Sequence, residues 1–204
     1  MKILLEGLGK RYLRHWVFKE MHAGLEAPEA VALLGPNGSG KSTLLRIIAG
    51  MQGATTGKVR YWQGEKELPV TEWFQYLSLC APGLELPEEL TLQEFLDFHF
   101  QFRSPLPGLD KTAIIELTGL KKAQDKALAD FSSGMKQRVK LAQAIMCQSE
   151  VLMLDEPCTN LDDSGVAQYR EWMVRFAAGR LVLVASNDPR EYDFCTRQIV
   201  LSIT

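Results

Sequence analysis

Short apolar runs separated by turn residues fill the first third of the chain. Ile3–Leu5, Val17–Phe18, Ala30–Leu34 and Val59–Trp62 read as strands, with Gly and Pro between them. Gly38–Gly40 leads into Lys41–Ala49, an apolar helix stopped by Gly50. The pattern changes between about Pro87 and Asp130. Thr91 and Glu94 form a capping-box pattern that opens a helix predicted to run through Phe102, where Pro105, Pro107 and Gly108 end it. A second helix is predicted over Lys111–Thr118, stopping at Gly119. The last third returns to alternation. It predicts a helix over Ser133–Gln148 with Val139, Ala142, Ile145 and Met146 on one face, then strand Val151–Leu154 and a helix over Gly165–Ala178. Strand Leu181–Ala185, a short helix over Pro189–Phe194 and strand Ile199–Ile203 follow. Strand–helix alternation of this kind predicts an α/β fold with a largely parallel sheet in three layers.

The length of 204 residues suits one domain, 1–204, with core segments 1–86 and 131–204 and a helical insert at about 87–130. A net charge of −2 gives no electrostatic footprint for nucleic acid, so none is expected as a partner. Apolar runs such as Val151–Leu154 and Leu181–Ala185 fall far short of the roughly 20 residues a membrane span needs. No charged-then-apolar leader is expected, since Glu6 follows Ile3–Leu5 at once. A role at a membrane therefore calls for a membrane-embedded partner. Cys80, Cys147, Cys158 and Cys195 are not paired at metal-ligand spacing, and His15, His22 and His99 are scattered. Unligated thiols in a reducing cytosol are expected.

Chemistry enters with Gly35-Pro36-Asn37-Gly38-Ser39-Gly40-Lys41-Ser42, followed by Thr43. It fits G-x-x-x-x-G-K-[ST] without a mismatch, after an apolar strand and before an apolar helix. Glycines permit a tight loop whose backbone N–H groups face phosphate oxygens, and the helix N-terminus adds positive potential. Lys41 is expected to reach the β- and γ-phosphates and the Ser42 hydroxyl to ligate Mg²⁺. Downstream, Val151–Leu154 ends in Asp155 and Glu156. The strand carries Asp155 to a sheet edge, where it would hold Mg²⁺, and Glu156 would polarise an attacking water.

Phe131-Ser132-Ser133-Gly134-Met135-Lys136-Gln137-Arg138 lies just ahead of that strand. It resembles the L-S-G-G-Q signature of ABC (ATP-binding cassette) ATPases. Ser132 and Gly134 fall on the serine and second glycine, while Phe131, Ser133 and Met135 replace leucine, glycine and glutamine. A serine hydroxyl and backbone N–H groups at a helix start also make a ready anion site. The resemblance implies a P-loop NTPase (RecA-like) core, an antiparallel β edge subdomain and an inserted helical subdomain. It implies ATP and Mg²⁺ as ligands, ATP hydrolysis, and a head-to-tail homodimer or heterodimer in which Ser132 and Gly134 complete the other subunit's site. Thr159-Asn160-Leu161-Asp162 matches the family's D-loop, with Asp162 communicating between sites. Tyr12 stands where the family places an aromatic that stacks on adenine; Trp16 is the competing candidate.

Two positions depart from the family. Asn187 stands where a switch histidine is expected; its amide can donate to a γ-phosphate oxygen but carries no charge. The Q-loop glutamine is missing from Leu79-Cys80-Ala81-Pro82, with Gln75 too early, on a strand, and Gln93 too late, on a helix. Hydrolysis slower than in typical members is expected, since Lys41, Asp155 and Glu156 are present. The apolar stretch Leu84, Leu86, Leu90, Phe95, Phe98, Phe100 and Phe102 would partly fill the insert. About half of these side chains would be internal, and the resemblance implies that a groove here, near Leu84–Leu90, receives a short helix of an integral-membrane permease subunit. The expected role is the cytoplasmic ATP-hydrolysing motor of a transporter, held at the inner membrane face by that partner. A soluble ABC ATPase of the Fe–S assembly type, or a degenerate ATP-binding subunit, are the alternatives. A small kinase is the third class, which Ser132 and Gly134 oppose.

Overall fold

The computed structural model describes residues 1–202. In chain order the elements are β1 (Lys2–Tyr12), β2 (His15–Glu26), β3 (Ala30–Leu34), α1 (Lys41–Ile48), β4 (Thr56–Gln63), β5 (Lys66–Leu68), α2 (Val70–Trp73) and β6 (Leu77–Cys80). Then come α3 (Leu92–His99), α4 (Lys111–Thr118), α5 (Ser133–Ile145), β7 (Val151–Asp155), α6 (Asp163–Phe176), β8 (Leu181–Ala185), α7 (Pro189–Tyr192) and β9 (Arg197–Val200). The fold is α/β, with a parallel sheet, a separate antiparallel sheet, and helices. The chain forms two compact units: Met1–Leu77 with Ser149–Glu156 and Gly179–Thr204, and Ser78–Gln148 with Pro157–Ala178. The segment 87–130 lies inside the second unit, which also takes in α5 and α6.

In the first unit, β2-β1-β4-β5 form the antiparallel sheet. β1 and β2 are far longer than the apolar triplet and pair from which they were expected. Three register shifts along their pairing absorb Gly7 and Gly9, residues that read as a turn in sequence. The parallel strands of this unit run in the order β7-β8-β3-β9. Every residue of β7 and β8 is buried, as expected for near-continuous apolar strands in a covered parallel sheet. α1 buries Leu44, Leu45, Ile47 and Ile48. Its last turn is tied down at one carbonyl: the Trp73 indole N–H (2.9 Å) and the Tyr61 hydroxyl (3.0 Å) both donate to Ile48 O. Those two rings stack at 4.4 Å, which fixes where the helix ends.

In the second unit, Thr91 caps α3 in a reciprocal box with Glu94. The helix stops at His99 rather than Phe102, and Phe100–Arg103 form turns. α4 ends at Gly119 in the left-handed region (φ 71°), as its sequence predicts. α5 ends at Ile145, three residues short of expectation, and its apolar face Val139, Ala142, Ile145 and Met146 is buried. Gln75 lies on a 3-10 turn (Phe74–Tyr76), not on a strand, while Gln93 lies on α3. In the first unit, the strand expected over Ile199–Ile203 is found at Arg197–Val200; Ile203 lies outside the described residues.

Among the described residues no helix is long and apolar enough to cross a membrane, and no group of three His, Cys, Asp or Glu is placed to hold a metal. None of the four cysteines is in a disulfide: Cys80, Cys147 and Cys158 are buried and Cys195 is half-buried. Burial, with the Asp193 charge, pushes the Cys195 thiol up to about 12.

His99 packs between Phe95 (5.9 Å) and Phe100 (6.1 Å), its Nε2 buried without a hydrogen-bond partner among the described residues. Burial, then the Arg103 charge, lowers its pKa from the ordinary 6.5. Below 6.5 the unfolded chain therefore takes up a proton that the folded chain refuses, and stability falls with pH across that window. Thermal unfolding of His99→Phe should lose less between about pH 7 and about pH 5 than wild type does. Equal acid-side losses would remove His99 as the cause.

Candidate functional site

β3, β7 and β8 are neighbours and parallel, with Leu33 and Asp155 both paired to Ala185. Their C-terminal ends therefore share one edge, and three loops leave it together: Gly35–Ser42, Asp155-Glu156 and Ser186-Asn187. Backbone hydrogen bonds stitch these exits, from Glu156 N to Ala185 O (2.9 Å) and from Ser186 N to Leu33 O (3.3 Å).

The loop geometry explains its glycines. A Cβ on Gly35 (φ 143°) would lie 2.3 Å from Leu201 O, and one on Gly40 (φ 98°) would lie 2.3 Å from Val17 Cγ1. No side chain caps α1 and no acidic residue sits in its first turn, so the amides at its N-terminus are left for an anion. Lys41 is 6% exposed, and its ammonium donates to Gly35 O (2.7 Å) and Pro36 O (3.3 Å), folded across the loop. Ser39 is buried, its hydroxyl without a partner among the described residues.

Ser42 donates to Asp155 Oδ1 at 2.9 Å. Burial pushes the Asp155 carboxyl above the ordinary carboxylate range; the Glu156 charge acts the same way, against the Ser42 hydrogen bond. A buried carboxylate touching a hydroxyl suits a hard cation with oxygen ligands such as Mg²⁺. Glu156 is exposed and its backbone is left-handed (φ 47°), a conformation that turns the chain sharply at the strand's end. It joins Tyr12, Val17, Asn37, Lys41, Ser42 and Thr43 around a cleft of about 370 Å³ that Gly38 and Gly40 also line. Tyr12 lines this cleft; Trp16 does not, lying instead against Gly9. Asn187 donates to Asn37 Oδ1 at 2.8 Å, which ties the expected switch position to the phosphate loop.

The second unit holds a separate cleft of about 360 Å³ lined by Ser132, Ser133, Gly134, Met135, Arg138, Asn160, Leu161 and Asp162. Ser132 caps α5, its hydroxyl accepting from Met135 N at 3.3 Å. A Cβ on Gly134 would lie 3.0 Å from Asn160 O, so glycine there permits close approach of the Asn160 backbone. Asp162 caps α6, accepting from Gly165 N (2.8 Å) and the Ser164 hydroxyl (2.9 Å), and the Arg138 guanidinium reaches it at 3.3 Å. These bonds, the Gly165 amide first, hold its carboxyl below the usual range. Arg138 and Asn160 lie within the signature and D-loop stretches of the sequence, which gives them no role of their own, and Val17 reads there only as part of a strand; folding contacts bring them to the clefts.

The protein belongs to the ABC transporter family, whose model matches residues 18–159, more than half of the chain. It is 30% identical over 200 residues to the uncharacterized ABC transporter ATP-binding protein YdbJ of Bacillus subtilis, covering 97% of this chain and 65% of that protein. It is 33% identical over 188 residues to the cytochrome c biogenesis ATP-binding export protein CcmA of Rhodopseudomonas palustris, covering 91% of this chain and 92% of that one. The dimeric post-hydrolysis ATP-binding cassette MJ0796, bound to ADP and Pi, superposes with a TM-score of 0.84. That match covers 98% of this chain and 96% of the cassette at 21% identity, which establishes the shared fold.

Proposed function

We propose that the chain binds Mg·ATP in the Gly35–Thr43 cleft and hydrolyses it as the ATP-driven subunit of a membrane transporter. The observation that carries this reading is the Ser42–Asp155 hydrogen bond, which joins the phosphate loop to the strand end beside Glu156. Gly35, Pro36, Asn37, Gly38, Ser39 and Gly40 would wrap the phosphates with backbone amides, and Lys41 would leave its carbonyl partners for β- and γ-oxygens. Ser42 and Asp155 would hold Mg²⁺, which neutralises charge developing on the transferred phosphoryl group. Glu156 orients the attacking water and accepts its proton. Asn187 offers its second amide N–H to the γ-phosphate while Asn37 holds the first. Thr43 and Tyr12 extend the site toward the base.

The uncapped amides of the phosphate loop serve one nucleotide end; the Ser132–Gly134 cleft of a second copy would complete the site, with Asp162 and Arg138 shaping it. That makes the ATP-bound state a head-to-tail dimer. A membrane permease would dock near Leu84–Leu90 and hold the protein at the membrane's inner face. There Leu86 is buried and Leu84 and Leu90 are half-buried. Beyond that segment, Phe98 and Phe102 are exposed. Leu84→Asp should cut recovery of a co-expressed membrane subunit by about tenfold, one lost apolar anchor's worth. Unchanged recovery would take 84–90 out of the interface.

Phosphate release by purified protein with its membrane partner, with and without Mg²⁺, tests the central reading. Mg²⁺-dependent release supports it. ATP binding without release would favour a subunit that works only beside a competent second cassette, a reading that the neutral Asn187 and the absent glutamine near Pro82 would then explain.

A further inference from the structure

Tyr12 sits at the exposed tip of the β1–β2 hairpin, followed by Leu13, which is 93% exposed. An aromatic in such a place would ordinarily swing between rotamers. Here it is held from several sides by the short segment after α1. Gln52 Nε2 donates to the Tyr12 hydroxyl. Thr43, in the first turn of α1, lines the same cleft as Tyr12. Lys10 Nζ lies 5.1 Å over the ring and is itself anchored on Gly53 O at 2.8 Å. Thr55 brackets the same strand end, its N–H donating to Gly9 O (2.8 Å) and its hydroxyl accepting from Arg11 N (3.0 Å).

We propose that Gln52 is a positioning residue for nucleotide binding, acting through Tyr12: its amide pins the tyrosine hydroxyl so that the ring stands ready for a planar base. The proposal rests on the reading of Tyr12 as the base-stacking residue. One ring face carries Lys10, which leaves the other for the base. A ring ordered before binding loses no further rotamer freedom when the base arrives, and affinity rises by that saving. α1 ends at Ile48, so Gln52 reaches Tyr12 from the loop that follows the helix, while Thr43 lies in the helix's first turn. No sequence pattern marks Gln52; its partner is 40 residues away.

The test compares affinity for Mg·ATP with affinity for inorganic tripolyphosphate, which has no base, by titration calorimetry. Gln52→Ala should weaken ATP about two- to tenfold, the range of one hydrogen bond, and leave tripolyphosphate unchanged. In turnover the loss should appear in KM with kcat preserved. Tyr12→Phe, which keeps the ring and removes the hydroxyl, should match Gln52→Ala, and the double variant should be no weaker than either. Gln52→Glu should recover much of the affinity, because a carboxylate accepts from the hydroxyl. Equal losses for ATP and tripolyphosphate, or additive losses in the double variant, would overturn the proposal. Tyr12→Ala separates the two layers. If it leaves ATP affinity unchanged, the base-stacking reading itself fails. If it weakens ATP while Gln52→Ala does not, only the role of Gln52 fails.

Discussion

Lys41→Ala should reduce kcat/KM for ATP by about a thousandfold or more. Two effects combine. Lys41 is nearly buried and its ammonium is poised on two loop carbonyls, so it can swing to phosphate oxygens without leaving the loop. Charge-assisted hydrogen bonds of that kind are worth about 1.5–3 kcal/mol each, and their loss weakens ATP by one to two decades. A preorganised donor aimed at charge growing in the transition state is worth about another 10²–10³. Lys41→Arg should not rescue, because a planar fork cannot fit a loop that already crowds Gly35 against Leu201 and Gly40 against Val17. Steady-state phosphate release checks this, with far-UV circular dichroism to confirm folding. Activity within tenfold of wild type would mean that Lys41 does not reach the phosphates.

Glu156→Gln should act differently, lowering kcat by about 10²–10⁴ while ATP affinity holds. Glutamine is isosteric and inherits the same left-handed backbone, so the strand-end geometry survives. It removes the carboxylate that would take the water's proton. It also removes a negative charge that raises the pKa of Asp155, so Asp155 ionises more readily and binding of Mg²⁺ does not suffer. Nucleotide then stays in place, and size-exclusion chromatography in Mg·ATP should show a dimer that wild type passes through only briefly. Turnover within threefold of wild type, about 0.6 kcal/mol in the barrier, would end the assignment of Glu156 as base.

What the sequence reveals about this site follows from how local each requirement is. The phosphate loop is legible because its motif is a run of eight consecutive residues, although the contacts that require its glycines and serine, at Leu201, Val17 and Asp155, lie far along the chain. Asp155 and Glu156 are legible because a short buried strand can end only at a sheet edge. The length of β1 is not legible: Gly7 and Gly9 look like a turn, and only pairing with β2 turns them into bulges. The end of α3 is misjudged because Phe100 and Phe102 are apolar, yet the turns toward Pro105 take them out of the helix. Tyr12 and Trp16 compete in sequence, and folding separates them by laying Trp16 on Gly9. The Asn187–Asn37 bond spans 150 residues, and no local pattern encodes it.

The disposition of the cysteines has a practical consequence. Thiol-directed probes react with the thiolate, so an accessible group with an ordinary pKa outcompetes a buried one. Three native thiols are buried, and the half-buried fourth, Cys195, is pushed up to about 12. A single cysteine introduced at an exposed position thus meets only poor competitors, and fluorophores or spin labels can be attached to the native background to follow the clefts through a nucleotide cycle.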